Sequence, residues 1–245
     1  MSAIPSTPTA AGAAPAAPAR RRWVSDAPTR MFHWLFALSF AGAYLTAESE
    51  RWRALHVTLG YGLAGLFAFR VLYGLLGPRQ LHPGVLLRKL AGLPAWLRAA
   101  AAGDIRWRQG QNLLMAAAVL ALLALVLPLT LSGYATYQDW GGEWLEELHE
   151  FFGNSFLALV LAHIGLILGL SLLRRQNQAL PMLGGRVPGP GPDLLPRQRR
   201  GLAAALLLAL LAFGAWQWRE SPTGLLPDKT WHQERGGTQG DDDDD

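Results

Sequence analysis

Five long apolar segments constrain this chain more than any other feature of its sequence. Each has a length near the roughly 20 helical residues that cross the hydrocarbon core of a bilayer. A soluble domain would instead alternate apolar and polar positions along its exposed elements. The sequence therefore predicts an all-α membrane protein, because helices satisfy their own backbone polar groups within lipid. The predicted spans are 31–47, 54–76, 112–133, 145–173 and 201–218.

The positive charges predict how these spans are oriented. With the N-terminus in the cytoplasm, 17 of the 22 Lys and Arg residues fall on the cytoplasmic side. The other five fall outside, and the positive-inside rule favours this arrangement. Of the 18 acidic residues, 15 lie on the outer side or in the C-terminal tail. Such an acidic outer face would attract a basic soluble partner. Loops that are simply hydrophilic would show the same acidic excess, and both interpretations stay open.

The segments around the spans predict how the chain is divided. Residues 94–102, in a basic connection between the second and third spans, are expected to form a short helix at the membrane interface. The expected divisions are a disordered cytoplasmic tail at 1–22, a four-helix core at 23–180, a basic cytoplasmic loop at 181–200, a fifth transmembrane helix at 201–218 and an acidic periplasmic tail at 219–245.

Four of the six histidines lie within or at the ends of predicted spans. Ionisable groups at membrane depth are costly, so they indicate function. His149 and His163 are 14 residues apart on one predicted helix, which places them about 21 Å apart along its axis and within roughly 40° of one direction. His33 lies at the inner end of the first span and His56 at the outer end of the second. The histidines therefore form an inner pair, His33 with His163, and an outer pair, His56 with His149.

Paired imidazoles from different helices are what a haem requires at its two axial positions. This arrangement predicts two haem b groups that transfer electrons, because bis-histidine ligation leaves no iron position for oxygen. The chain has no cysteine, which excludes covalent haem attachment and thiolate-ligated clusters. Zinc or copper would instead gather its ligands at one depth. Two rival hypotheses stay open: a proton-coupled transporter with a histidine relay, and a structural anchor whose histidines form interhelical hydrogen bonds.

Two arginines are expected near the inner pair. Arg70 lies in the inner part of the second span, about four helical turns after His56, and Arg30 lies about one turn before His33. Each is placed to pair with a haem propionate. Each is equally placed to extend its charged end to the cytoplasmic headgroups. Both interpretations stay open.

Several motifs resemble the bacterial cytochrome b561 family, which includes the b-type cytochrome subunits of nickel–iron hydrogenases. The segment WVSDAPTRMFHW (23–34) is similar to the family signature at the first span. LHVTLGY and FRVLYGLLG resemble the second span, and HEFFGNSFLALVLAHIG resembles the paired histidines of the fourth. The resemblance covers about residues 23–180. One departure is Gln111, where related chains often have a histidine before the third span.

The resemblance implies a four-helix core with two haem b groups, plus a fifth helix outside the family pattern. It implies His33, His56, His149 and His163 as axial iron ligands. It also implies a bacterial inner-membrane carrier between the quinone pool and a periplasmic redox partner, such as a c-type cytochrome. No nucleic-acid partner is expected. Whether the chain acts alone as a quinone oxidoreductase or within a larger complex stays open.

Overall fold

The computed structural model describes residues 21–189, 191–195 and 197–221. Helices occupy all five predicted positions, with boundaries that lie a few residues from the predicted ones. Three shorter helices lie in the connections between them. In chain order the helices are α1 (Ala27–Thr46), α2 (Arg53–Leu76), α3 (Pro83–Leu90), α4 (Leu93–Ala101), α5 (Trp107–Tyr137), α6 (Glu143–Arg174), α7 (Leu180–Leu183) and α8 (Arg200–Glu220).

Four helical segments in the described part of the chain are long and apolar enough to cross a membrane. They are Glu50–Leu76, Trp107–Tyr137, Glu143–Arg174 and Arg200–Glu220. α1 is not among them, because polar residues in its first two turns lower its hydropathy. It nevertheless packs along α2 and α8. The five-span arrangement therefore stays a prediction, while the helices themselves are confirmed.

The core of the bundle lies between the two histidine pairs. α1 packs against α2, α2 against α5, and α5 against α6. Phe156 lies midway between His149 and His163 on α6, and its ring centroid is 4.6 Å from that of Phe40. An apolar layer therefore separates the inner pair from the outer pair. This layer consists of Phe40, Leu63, Val126, Leu129 and Phe156.

A two-stranded ribbon joins the start of the described chain to the connection before α8. Strand β1 (Arg21–Trp23) pairs antiparallel with β2 (Arg186–Pro188), and the backbone N–H of Trp23 donates to Asp193 at 2.6 Å. The expected tail at 1–22 is therefore wrong for its last two residues. The expected loop at 181–200 likewise contains a strand. Residues 1–20 and most of the acidic tail at 219–245 lie outside the described residues.

The buried residue Asp26 links three helices at the predicted cytoplasmic end. Its side chain is fully buried and caps α1 by accepting a hydrogen bond from Thr29 N at 3.2 Å. The hydroxyl of Tyr73, on α2, donates to the other carboxylate oxygen. That hydroxyl in turn accepts a hydrogen bond from Arg199 Nη1, at the start of α8, at 3.1 Å. A buried carboxylate needs such donors to offset its desolvation.

We expect Tyr73→Phe to destabilise the bundle. It removes the donor to Asp26 and leaves a buried carboxylate oxygen underpaired, which costs about 1–3 kcal/mol. Thermal unfolding of the detergent-solubilised protein measures the effect as a lower midpoint temperature. Tyr137→Phe is the matched control, because Tyr137 is 47% exposed. Equal midpoints for the two variants would show that the buried hydrogen bond contributes nothing.

Candidate functional site

The outer histidines, one on α2 and one on α6, face each other across the bundle. The ring centroids of His56 and His149 are 6.0 Å apart, and the ring planes are nearly perpendicular at 87°. Imidazole nitrogens bind metals at about 2 Å, so two rings that shared one iron would have centroids about 6 Å apart. The outer pair therefore fits a single metal with two axial imidazoles.

Backbone carbonyls fix the tautomer of both outer rings. Nδ1 of His56 lies 2.8 Å from the carbonyl oxygen of Ala43. Nδ1 of His149 lies 3.2 Å from the carbonyl oxygen of Leu129 and 3.3 Å from Ser132 Oγ. A carbonyl oxygen can only accept, so each Nδ1 carries the proton and donates it. Each Nε2 therefore keeps its lone pair for a metal, and the hydrogen bond orients the ring.

Glycines leave room around the outer rings. A Cβ added at Gly133 on α5 would lie 2.7 Å from His149 Cε1, so the ring occupies the space that a side chain would take. Gly60 and Gly153 lie one turn after His56 and His149 on the same helix faces. Among the described residues, nothing lies within 4 Å of a Cβ added at either glycine. This open space beside facing imidazoles fits a flat macrocycle.

His33 on α1 and His163 on α6 lie close enough to interact electrostatically. Nδ1 of each ring is buried and has no hydrogen-bond partner in the described part of the protein. Buried polar atoms almost always have partners. Two unpartnered imidazoles at one level therefore fit a ligand that is not part of the polypeptide.

The two candidate arginines differ in their contacts. Arg30 donates through Nη1 to the carbonyl of Ser25 at 2.9 Å and to Gln198 Oε1 at 3.3 Å. Arg70 interacts electrostatically with Asp26 and Tyr73. Within the described residues, no hydrogen bond reaches the guanidinium of Arg70. Arg70 is therefore the freer of the two to pair with an anion, and both roles stay predictions.

Gln111 has a polar role despite its departure from the family pattern. Its Oε1 accepts hydrogen bonds from Arg174 Nε at 2.9 Å and Nη2 at 2.7 Å. Arg174 Nη2 also donates to Asn112 Oδ1 at 3.2 Å. These contacts join the start of α5 to the end of α6. The glutamine therefore makes a polar contact at this end of α5.

Sequence reasoning missed the cluster around Asp26, which lies near Arg70. Asp26 had a usable signal, since an acidic residue followed closely by proline is typical of a helix N-cap. Tyr73 had no sequence signal beyond its position near the end of the second span. Their pairing joins residues 47 positions apart, and no local pattern predicts such a contact.

The described residues contain no cluster of three or more His, Asp or Glu side chains that could hold a metal ion. Structural zinc sites usually have four protein ligands. The rings of His56 and His149 instead face each other as a pair from two helices. Two axial ligands are what a metal already held by a macrocycle requires.

The fold and the histidine pairs define a class: helical membrane proteins with ligand-type imidazoles facing one another between helices. The family model for prokaryotic cytochrome b561 matches residues 24–185, and the chain belongs to that family. The resemblance found in the sequence is therefore confirmed. Family membership identifies the chain as a b-type cytochrome, a haem-binding protein of electron transfer. No curated protein and no solved structure matched the chain.

Proposed function

We propose that this protein holds two haem b groups and carries electrons across the bacterial inner membrane, between the quinone pool and a periplasmic redox partner. The observation that carries the proposal is the outer pair, with ring centroids 6.0 Å apart and with both Nδ1 atoms donating to backbone carbonyls. Such rings are oriented in advance to present Nε2 to iron. Haem supplies the one-electron redox chemistry when it is bound.

The polypeptide contributes orientation, insulation and charge. Each histidine pair would hold one haem by its iron, His56 with His149 at the outer level and His33 with His163 at the inner level. The apolar layer between the pairs keeps water away from the space between the two levels. The ring of Phe156 is central to this layer, because it contacts Phe40 at 4.6 Å and Phe36 at 6.1 Å between centroids.

Arginine side chains at the inner level would pair with the carboxylates of a haem. Arg70 follows His56 on α2 at the same interval at which His163 follows His149 on α6, about four helical turns. α2 and α6 both start at the predicted outer side, so Arg70 and His163 lie at similar depths. The guanidinium of Arg70 makes no hydrogen bond in the described part of the chain. Arg30 would add positive charge at the same level while its guanidinium donates a hydrogen bond to the carbonyl of Ser25.

The charges of the outer end suit a basic periplasmic partner. α6 begins with Glu143, Glu146, Glu147 and Glu150, which are all exposed. Complementary charge speeds the encounter between soluble redox proteins and their partners. A c-type cytochrome with a basic face is the partner that we propose. Quinone would reach the protein through the bilayer, with the chain acting as a quinone oxidoreductase alone or as a subunit.

Purified protein tests this function directly. The full-length chain, isolated from membranes, should be red and contain about two haem b per polypeptide, as expected for two bis-histidine sites. Reduced-minus-oxidised spectra should show low-spin haem, and a short-chain quinol should reduce it. A colourless preparation with all four histidines intact would contradict the proposal. That result would favour a structural anchor or a transporter.

A further inference from the structure

Two short helices at the predicted cytoplasmic end each have an apolar face and a basic face. They are α3 and α4, which we call the interfacial hairpin (83–101). On α3, Leu86, Leu87 and Leu90 lie on one side, while Arg88 and Lys89 point away from it. On α4, Leu93 and Leu97 lie on the same side as Trp96, and Arg98 lies roughly opposite. The expected helix at 94–102 is confirmed, and α3 adds a second helix of the same kind.

The hairpin is fixed to the membrane-spanning bundle. The ring of Trp96 rests on Gly110, where an added Cβ would approach it to 2.5 Å. Trp96 Nε1 also donates to the carbonyl of Arg106 at 3.2 Å. α3 packs against α5 as well. The hairpin is therefore held at the start of α5, which places it beside the membrane surface.

Part of its apolar face remains uncovered by the protein. Leu87 is 54% exposed and Leu97 is 53% exposed. The chain that follows adds two more exposed apolar side chains, Ile105 and Trp107. Tryptophan at the start of a membrane-spanning helix is typical of the headgroup boundary. Uncovered leucines beside such a residue need an apolar environment.

The positive charge of this region indicates what kind of surface covers its apolar face. The connection between α2 and α5 contains five cations and one acid, Asp104. Asp104 is paired with Arg106 at 3.0 Å, and the described residues show no other ion pair in the connection. Arg88, Lys89 and Arg98 are exposed, and no carboxylate in the described part of the chain pairs with them. Apolar side chains next to unpaired cations match an acyl chain below an anionic headgroup.

We propose that the interfacial hairpin is a binding surface for anionic phospholipid in the inner leaflet. The leucines of α3 and α4 enter the acyl region, and Arg88, Lys89 and Arg98 contact the lipid phosphates. Free phosphate would satisfy the cations and leave the leucines exposed. The bilayer supplies both kinds of contact, because α2 and α5 carry the hairpin to its surface. This role is independent of haem.

The absence of cysteine makes depth measurements simple. Single-cysteine variants Leu97→Cys and Arg98→Cys of the full-length haem-loaded protein would each carry a nitroxide label. Nanodiscs would contain phosphatidylcholine with or without one quarter phosphatidylglycerol. With phosphatidylglycerol present, the label at 97 should be accessible to oxygen and shielded from a water-soluble nickel chelate. The label at 98 should be accessible to the chelate and less accessible to oxygen. Equal access of the chelate to both labels would overturn the proposal and favour a soluble partner.

A second measurement tests the selectivity for anionic lipid. Spin-labelled phosphatidylglycerol should show a motionally restricted fraction with the unmodified protein. The double variant Arg88→Gln/Lys89→Gln should weaken that association by about five-fold for each cation removed. Arg53→Gln is the matched control, because Arg53 is an exposed cation at the opposite end of α2. Unchanged selectivity in the double variant would refute the role of these cations. Spin-labelled phosphatidylcholine gives the baseline.

Discussion

His163→Ala should reduce the haem content to about half and leave the remaining haem low-spin. The substitution removes one imidazole of the inner pair, and a haem with one axial protein ligand is bound less firmly. The outer pair should be unaffected, because it lies about 21 Å away along α6 and beyond the apolar layer around Phe156. Haem-to-protein ratios and electron paramagnetic resonance spectra of the oxidised protein measure the result.

A matched control separates ligand loss from general damage. His82→Ala makes the same change at a histidine that precedes α3 and makes no side-chain capping hydrogen bond. It should retain the full haem content. If haem falls equally at both levels in His163→Ala, or does not fall at all, the assignment of two separate pairs is incorrect.

The helices and the facing rings of His56 and His149 could be predicted from sequence because both depend on simple periodic geometry. Apolar length identified the long helices, and a spacing of about four helical turns placed His149 and His163 on one face of α6. The structure places the ring centroid of His56 6.0 Å from that of His149, and it places His33 near enough to His163 for the two to interact electrostatically. Such predictions need only the repeat of a helix and the approximate thickness of a bilayer, which vary little among membrane proteins.

Contacts between distant parts of the chain could not be predicted in this way. The ribbon of β1 and β2 joins a segment before the first long helix to one after the α6 helix, through backbone hydrogen bonds that any sequence can form. The carbonyls of Ala43 and Leu129 orient the outer histidines, yet every residue has a carbonyl. The sequence shows where ligand-type side chains such as histidine occur. Only the fold determines which backbone carbonyls contact them.

Gly133→Ala should remove most of the outer haem while the inner haem remains. The added Cβ would lie 2.7 Å from His149 Cε1 and 3.0 Å from Nδ1. Carbon atoms pack at about 3.5–4.0 Å, so the ring must move by several tenths of an ångström or more. That movement would strain the hydrogen bond from Nδ1 to Leu129 and displace Nε2. A displacement near 1 Å is enough to disable a preorganised site.

A glycine-to-alanine substitution at another position shows whether the loss of haem is specific to Gly133. Gly214→Ala on α8 adds a Cβ that meets nothing within 4 Å in the described structure, and alanine slightly favours a helix over glycine. This variant should therefore keep both haems and at least the same thermal stability. Haem content, together with the redox titration of the remaining haem, distinguishes the two variants. If Gly133→Ala retained both haems with unchanged potentials, the close fit between α5 and His149 would have no part in holding the cofactor. The outer pair would then be positioned by its carbonyl hydrogen bonds alone.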